Sequence, residues 1–154
     1  MSLFSARSTP LVREIRRTYQ AKQERMLCYC QNAIAFSCFS HTVSGLFEEL
    51  AAEELHHTVL LGAWLLRQGV VPSLQARGTP TPPLSGDDKK VLSLAAAAAL
   101  SREAERARAE TRELERLEKE ATEADAARLL HTLAEKTGAH AHALSRLYER
   151  YSDA

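Results

Sequence analysis

Glu54 and His57 stand three residues apart in the stretch Ala52-Glu53-Glu54-Leu55-His56-His57, which reads as helix. On a helix, residues three apart are neighbours on one face, so a carboxylate oxygen and an imidazole nitrogen can be aimed at one point. Those donors suit iron or manganese. Advancing about 100° per residue, the apolar stripe of this segment runs through Leu46, Phe47, Leu50, Ala51, Leu61, Trp64 and Leu65. Glu54 and His57 fall in its middle beside Thr58, whereas Glu53 and His56 fall outside it. A carboxylate among leucines is costly unless it is paired or bound to a cation. Coordination of a metal is one solution, and a Glu–His or Glu–Arg hydrogen-bonded pair inside a bundle core is the other.

Three further segments can bring partners to this pair. Near the C-terminus an apolar stripe through Ala126, Leu129, Leu130, Leu133, Leu144, Leu147, Tyr148 and Tyr151 has His140 at its centre, with Thr137 one turn earlier. His131 and His142 point away from it. A third stripe, through Leu92, Ala96, Ala99, Leu100, Ala107, Leu114 and Leu117, carries Glu103 and Glu110. On the first segment the candidate is Glu24, sharing its side with Leu27, Cys28, Gln31, Ile34 and Cys38. A stronger stripe lies opposite, through Val12, Ile15, Tyr19, Met26, Tyr29 and Cys30, which predicts a first helix buried on two sides and a homo-oligomer, at least a dimer, formed through it. With turns centred near His41 and Ala121, Glu24 comes level with Glu54 and His57, and Glu103 with His140. The expected cluster is Glu24, Glu54, His57, Glu103 and His140, holding one or two metal ions.

The elements that must position these residues are all helical. Proline and glycine gather between Val71 and Asp87, and the flanking stretches are rich in Ala, Leu, Glu and Arg, which favour helix over strand. Helices are predicted over about 9–40, 44–68, 87–120 and 124–151. Thr9 precedes Pro10 at the first helical position, Gly69 stops the second helix, and Ser85 or Asp87 caps the third. Two hairpins of long helices joined by one long connection predict an all-α, antiparallel four-helix bundle with a crossover between helices 2 and 3. The whole chain is expected to form a single domain.

The stretch from Ala52 to His57, followed by the amphipathic tail ending Leu66-Arg67-Gln68-Gly69, resembles the second-helix motif of the ferritin-like superfamily, which includes ferritins, bacterioferritins and rubrerythrins. The resemblance implies a first-helix ligand, matched by Glu24, and a third-helix ligand, matched by Glu103. It also implies iron oxidation, storage or oxidative-stress handling at a di-iron carboxylate site, a ferroxidase-like oxidoreductase chemistry. The fourth-helix Glu-x-x-His of the family is here Thr137-Gly138-Ala139-His140, so one carboxylate is missing and the expected site is incomplete. Glu110, about two turns or 10 Å from Glu103, is a poor substitute. No CxxC pair of the rubredoxin-like kind is present. The competing reading is a non-catalytic helical-bundle interaction or structural protein with a degenerate metal site. A di-iron oxygenase is a third reading, for which no substrate pocket is visible.

Composition narrows the field. With 20 basic and 20 acidic residues the formal charge is +0, and the Arg/Glu run of 102–120 reads as a solvated helix face laced with i,i+4 pairs, so no nucleic acid partner is expected. The longest apolar run, Val91 to Leu100, is about half the length that crosses a bilayer, so no membrane is expected either. Without an apolar secretory segment at the N-terminus, a cytoplasmic location is expected. Cys28, Cys30 and Cys38 read as reduced, buried thiols. No nucleophile elbow or phosphate-binding glycine loop occurs.

Overall fold

The computed structural model describes residues 9–74 and 88–152, and these form four helices: α1 (Pro10–Ala35), α2 (His41–Arg67), α3 (Lys89–Glu120) and α4 (Ala124–Ser152). Local chemistry sets their ends. Thr9 accepts a hydrogen bond from the Val12 amide at 3.2 Å ahead of Pro10, and Ser40 does the same for Val43 at 3.2 Å. Asp88, rather than Ser85 or Asp87, caps α3 through the Lys90 amide at 2.9 Å; Ser85 and Asp87 lie outside the described residues. The α2 terminus closes with two reversed hydrogen bonds, Val70 N to Leu65 O and Gly69 N to Leu66 O, both 3.0 Å. This closure needs a left-handed residue after the cap, and Gly69 supplies it at φ +81°.

The first break differs from the expectation. Helix 1 was expected to reach residue 40 and helix 2 to start at 44; instead α1 ends at Ala35, a turn spans 36–39, and α2 starts at His41. The Ser40 hydroxyl caps the new helix, so His41, Thr42 and Gly45 are absorbed into its first turns. The expected boundaries of the other helices hold to within one or two residues.

Cross-helix contacts fix direction. Antiparallel α1 and α2 pack as one hairpin, α3 and α4 as another. Glu14 meets Arg116 while Arg25 meets Glu103, so α1 also runs antiparallel to α3. Ser40 meets Tyr151 while Glu53 meets His140, so α2 runs antiparallel to α4. Helices α2 and α3 therefore run the same way, and the connection between them joins opposite ends of the bundle, as the single crossover requires. Most of that connection, residues 75–87, lies outside the described residues.

The core has two apolar halves. One gathers Tyr29, Phe36, Phe47, Leu100 and Leu144; the other gathers Ile15, Leu61, Trp64, Leu117 and Leu130. Where Tyr19 crosses α2, a Cβ on Gly62 would stand 3.2 Å from its ring, so the absent side chain lets the two helices close. The α1 stripe through Val12, Ile15, Tyr19 and Tyr29, read from sequence as a second and external face, is the core face itself. Met26 and Cys30 lie at its margin, half-buried and exposed respectively, and Ile34 is 74 % exposed. Among the described residues no helix is long and apolar enough to cross a membrane.

Candidate functional site

Between the apolar halves lies a layer of polar side chains, one or more from every helix. At its centre is the ammonium of Lys22, whose side chain is fully buried. Lys22 Nζ stands 3.0 Å from Glu54 Oε1, 2.9 Å from Glu110 Oε1 and 2.9 Å from Thr137 Oγ1. A single nitrogen on α1 thus reaches α2, α3 and α4. Burying a lysine is costly unless its charge is matched and its protons are received; here Glu54 and Glu110 match the charge, and Glu54 and Thr137 accept hydrogen bonds from it.

Glu54, 1 % exposed, is the hub. Its Oε1 faces Lys22, His140 Nδ1 at 3.3 Å and His57 Nδ1 at 3.8 Å. The imidazoles of His57 and His140 lie nearly parallel, 5.7 Å apart and 11° between planes. His140 Nε2 bonds Glu53, whose side chain is 44 % exposed and forms the outer edge of the layer. Neither His57 Nδ1, His140 Nδ1 nor Glu54 Oε2 has a partner in hydrogen-bond geometry.

These surroundings separate the three groups in acidity. Burial pushes the Glu54 carboxyl up, but the adjoining His140, the Lys22 charge and His57 outweigh it and hold the group below the usual carboxylate range. Burial and the Lys22 charge lower His57 from 6.5 to about 4, so it is neutral near pH 7. For His140 burial also works downward, but Glu54 and Glu53 overcome it and raise the group. The layer thus carries a neutral imidazole stacked on one that favours its proton.

The expected ligands do not come together as one set. Glu54, His57 and His140 do meet, at 3, 1 and 3 % exposure for His57, Glu54 and His140. Glu24 is exposed on the outer side of α1. The face of α1 expected to point inward points outward, and Lys22 takes the inner position instead. Glu103 is fully buried but elsewhere, bound to Arg106 at 3.0 Å, Arg102 at 3.3 Å, Arg25 at 3.4 Å and the Cys28 thiol at 3.3 Å. Glu110, set aside from sequence, is the α3 carboxylate that reaches the centre. Its level follows from the α3–α4 stagger, in which Thr111 adjoins Gly138 and Arg108 bonds Ser145.

A two-metal set of these residues does not fit: one carboxylate faces outward, one is engaged by three guanidinium groups, and a lysine fills the centre. Among the described residues no group of three or more His, Cys, Asp or Glu is arranged to hold a metal ion. The sequence did carry a signal for Lys22, since it falls at helical spacing within the row Val12, Ile15, Tyr19, Met26 and Tyr29. The cysteines also depart from expectation, with Cys28 half-buried and Cys30 and Cys38 exposed. Burial and the Glu103 charge push the Cys28 thiol from 9.0 up to about 11, so it is a poor nucleophile. Comparison with protein-family models, with curated proteins and with solved structures finds no match.

Proposed function

We propose that this chain is a non-catalytic helical-bundle protein, an interaction or structural module, in which the ammonium of Lys22 does the neutralising that a metal ion would do in a carboxylate bundle. The observation that carries the reading is the triple engagement of Lys22 Nζ by Glu54, Glu110 and Thr137, all within 3.0 Å. A buried carboxylate needs a positive partner, and a covalently tethered one satisfies Glu54 with no ion taken from solution. In this reading the likeness of the second helix to ferritin-like proteins is one of architecture, and Thr137 is a fitting partner for an ammonium, accepting one of its three protons. The test is metal content. After incubation with Fe²⁺ or Mn²⁺ and desalting, far less than one ion per chain is expected, and the melting temperature should not respond to either ion. A ligand at about 100 times its Kd would stabilise the fold by about 2.7 kcal/mol, so a response would be plain.

A second reading keeps the metal. Glu54 Oε2, His57 Nδ1 and His140 Nδ1 are buried without hydrogen-bond partners, and unsatisfied polar atoms in a core call for an explanation. One iron or manganese ion held by Glu54, His57 and His140 would supply it, provided Lys22 withdrew. Stoichiometric metal in the wild type that Glu54→Ala loses would establish this second reading and overturn the first.

A further inference from the structure

We infer that the groove between α1 and α2 is the seat of the chain's own crossover, residues 75–87, which lie outside the described residues. The groove is a hollow of about 530 Å³. Met26, Cys30 and Ile34 of α1 and Ala51, Ala52 and Leu55 of α2 line it, and Glu48 is the one charged residue among its lining side chains. Ile34 is 74 % exposed there and Leu55 51 %.

The chain leaving α2 already follows this groove. Val70 is buried, and the Pro72 ring lies 3.7 Å from where a Cβ on Gly62 would stand. The Ser73 carbonyl then accepts a hydrogen bond from Gln23 Nε2 at 3.3 Å. Gly62 shares a row of α2 with Leu55, Ala51 and Glu48, and Gln23 shares a row of α1 with Met26, Cys30 and Ala33, at helical steps of three, four and seven. Because the two helices are antiparallel, the step from Gly62 and Tyr19 to Gln23 heads toward Leu55 and Met26, where the hollow begins.

Length holds the segment to that course. Cys28, five residues beyond Gln23, meets Glu103, and Asp88 lies fifteen residues before Glu103 on the antiparallel α3. At about 1.5 Å per residue, Asp88 is roughly 30 Å farther along the bundle than Gln23. Thirteen residues extend to about 43 Å at most. Since α1 packs on both α2 and α3 and ends at Ala35, a direct route follows the groove past Ile34 and turns toward α3 beyond that end. The other track, over the outer side of α1, carries Glu24 and Gln31. Composition favours the apolar seat: Pro80, Pro82, Pro83 and Leu84 fall in the segment, and a proline brings no N–H that the groove would leave unpaired.

No residue of the Lys22 layer is involved, so the inference goes beyond the function proposed above and stands whichever way the metal test falls. Cys30 reports on it. In the full chain carrying Cys28→Ser and Cys38→Ser, adding Pro82→Ser, Pro83→Ser and Leu84→Ser should speed alkylation of Cys30 by about 10-fold, the weight of one buried leucine in a docked–undocked equilibrium. In the same background Thr79→Cys or Thr81→Cys should form a disulfide with Cys30 within one chain when a disulfide oxidant is added. These two variants keep every apolar residue of the segment, so they decide the matter even where the serine variant melts early. An alkylation rate unchanged in a folded serine variant, or no intrachain disulfide from either position, would overturn the inference. Cross-links formed only between chains, or protection of Cys30 that is lost on dilution, would make a second copy the occupant and overturn it too.

Discussion

Replacing Lys22 with methionine removes one positive charge from the centre of the bundle while keeping an unbranched chain of similar reach. What remains is Glu54, 1 % exposed, and Glu110, 11 % exposed, facing each other with no ammonium between them. Glu110 retains Arg25 at 3.6 Å, so the loss falls mainly on Glu54. Deleting one member of a buried ion pair costs about 3–5 kcal/mol, because the other charge is left uncompensated. A domain has about 5–15 kcal/mol in all, so the variant should fold but weakly. At about 2–4 °C per kcal/mol for a chain of this size, its melting temperature should fall by roughly 10 °C. Thermal unfolding followed by circular dichroism measures this directly. Adding Glu54→Gln to Lys22→Met should recover about half of the loss, since the stranded charge goes with it. Lys22 is one of the groups that hold the Glu54 carboxyl below its usual range, so that carboxyl should take up its proton at a higher pH in the single variant than in the wild type. A Lys22→Met protein melting within about 2 °C of wild type, or a double variant no better than the single, would refute the account of the layer.

Other consequences can be checked in parallel. His57 is lowered from 6.5 to about 4 in the folded state, so its contribution is complete above about pH 6.5 and is lost as pH falls toward 4; denaturant titrations over that window should show the decline, and His57→Gln should flatten it. His140 is shifted the other way, so its contribution is complete below its unfolded pKa and fades as pH rises through the raised folded one; His140→Gln should remove that alkaline-side loss from the same titrations. Glu103→Gln leaves Arg25, Arg102 and Arg106 around an uncharged amide, and because two of these guanidinium groups are about half exposed the cost should be about 2 kcal/mol. In a Cys30→Ser/Cys38→Ser background the same change should speed alkylation of Cys28, whose thiol Glu103 helps to keep protonated. Gly69→Ala, at φ +81°, should lower stability by about 1 kcal/mol in chemical denaturation.

Helix identity was legible because Ala, Leu, Glu and Arg dominate three long periodic segments and because Pro and Gly gather in one place. The crossover followed from the same count. The first turn was misplaced because a serine cap competes with glycine as a stop signal, and Ser40 prevailed over Gly45. Glu54, His57 and His140 were legible as inward residues since each interrupts a clean apolar stripe. Glu24 was not, because the side it shares with Leu27, Cys28, Gln31, Ile34 and Cys38 lies opposite the stronger apolar stripe of its own helix. That stripe contained Lys22, and a lysine within an apolar row is easily passed over because its long stem ordinarily carries the charge out to water. Choosing between Glu103 and Glu110 needed the stagger of two helices to within a turn, which loop positions alone do not supply.

One nitrogen atom touching all four helices bears on how the two hairpins find each other. Within the α1–α2 hairpin Lys22 has only Glu54; Glu110 and Thr137 arrive with α3 and α4. Sliding one hairpin along the other by a single helical turn, about 5.4 Å, would still set leucines and alanines against one another but would part the ammonium from Glu110 and Thr137, leaving it Glu54 alone. Greasy surfaces alone tolerate such slippage; a buried charge does not. Lys22 therefore acts as a vernier mark for docking, favouring the alignment that gives its charge a second carboxylate and a hydroxyl.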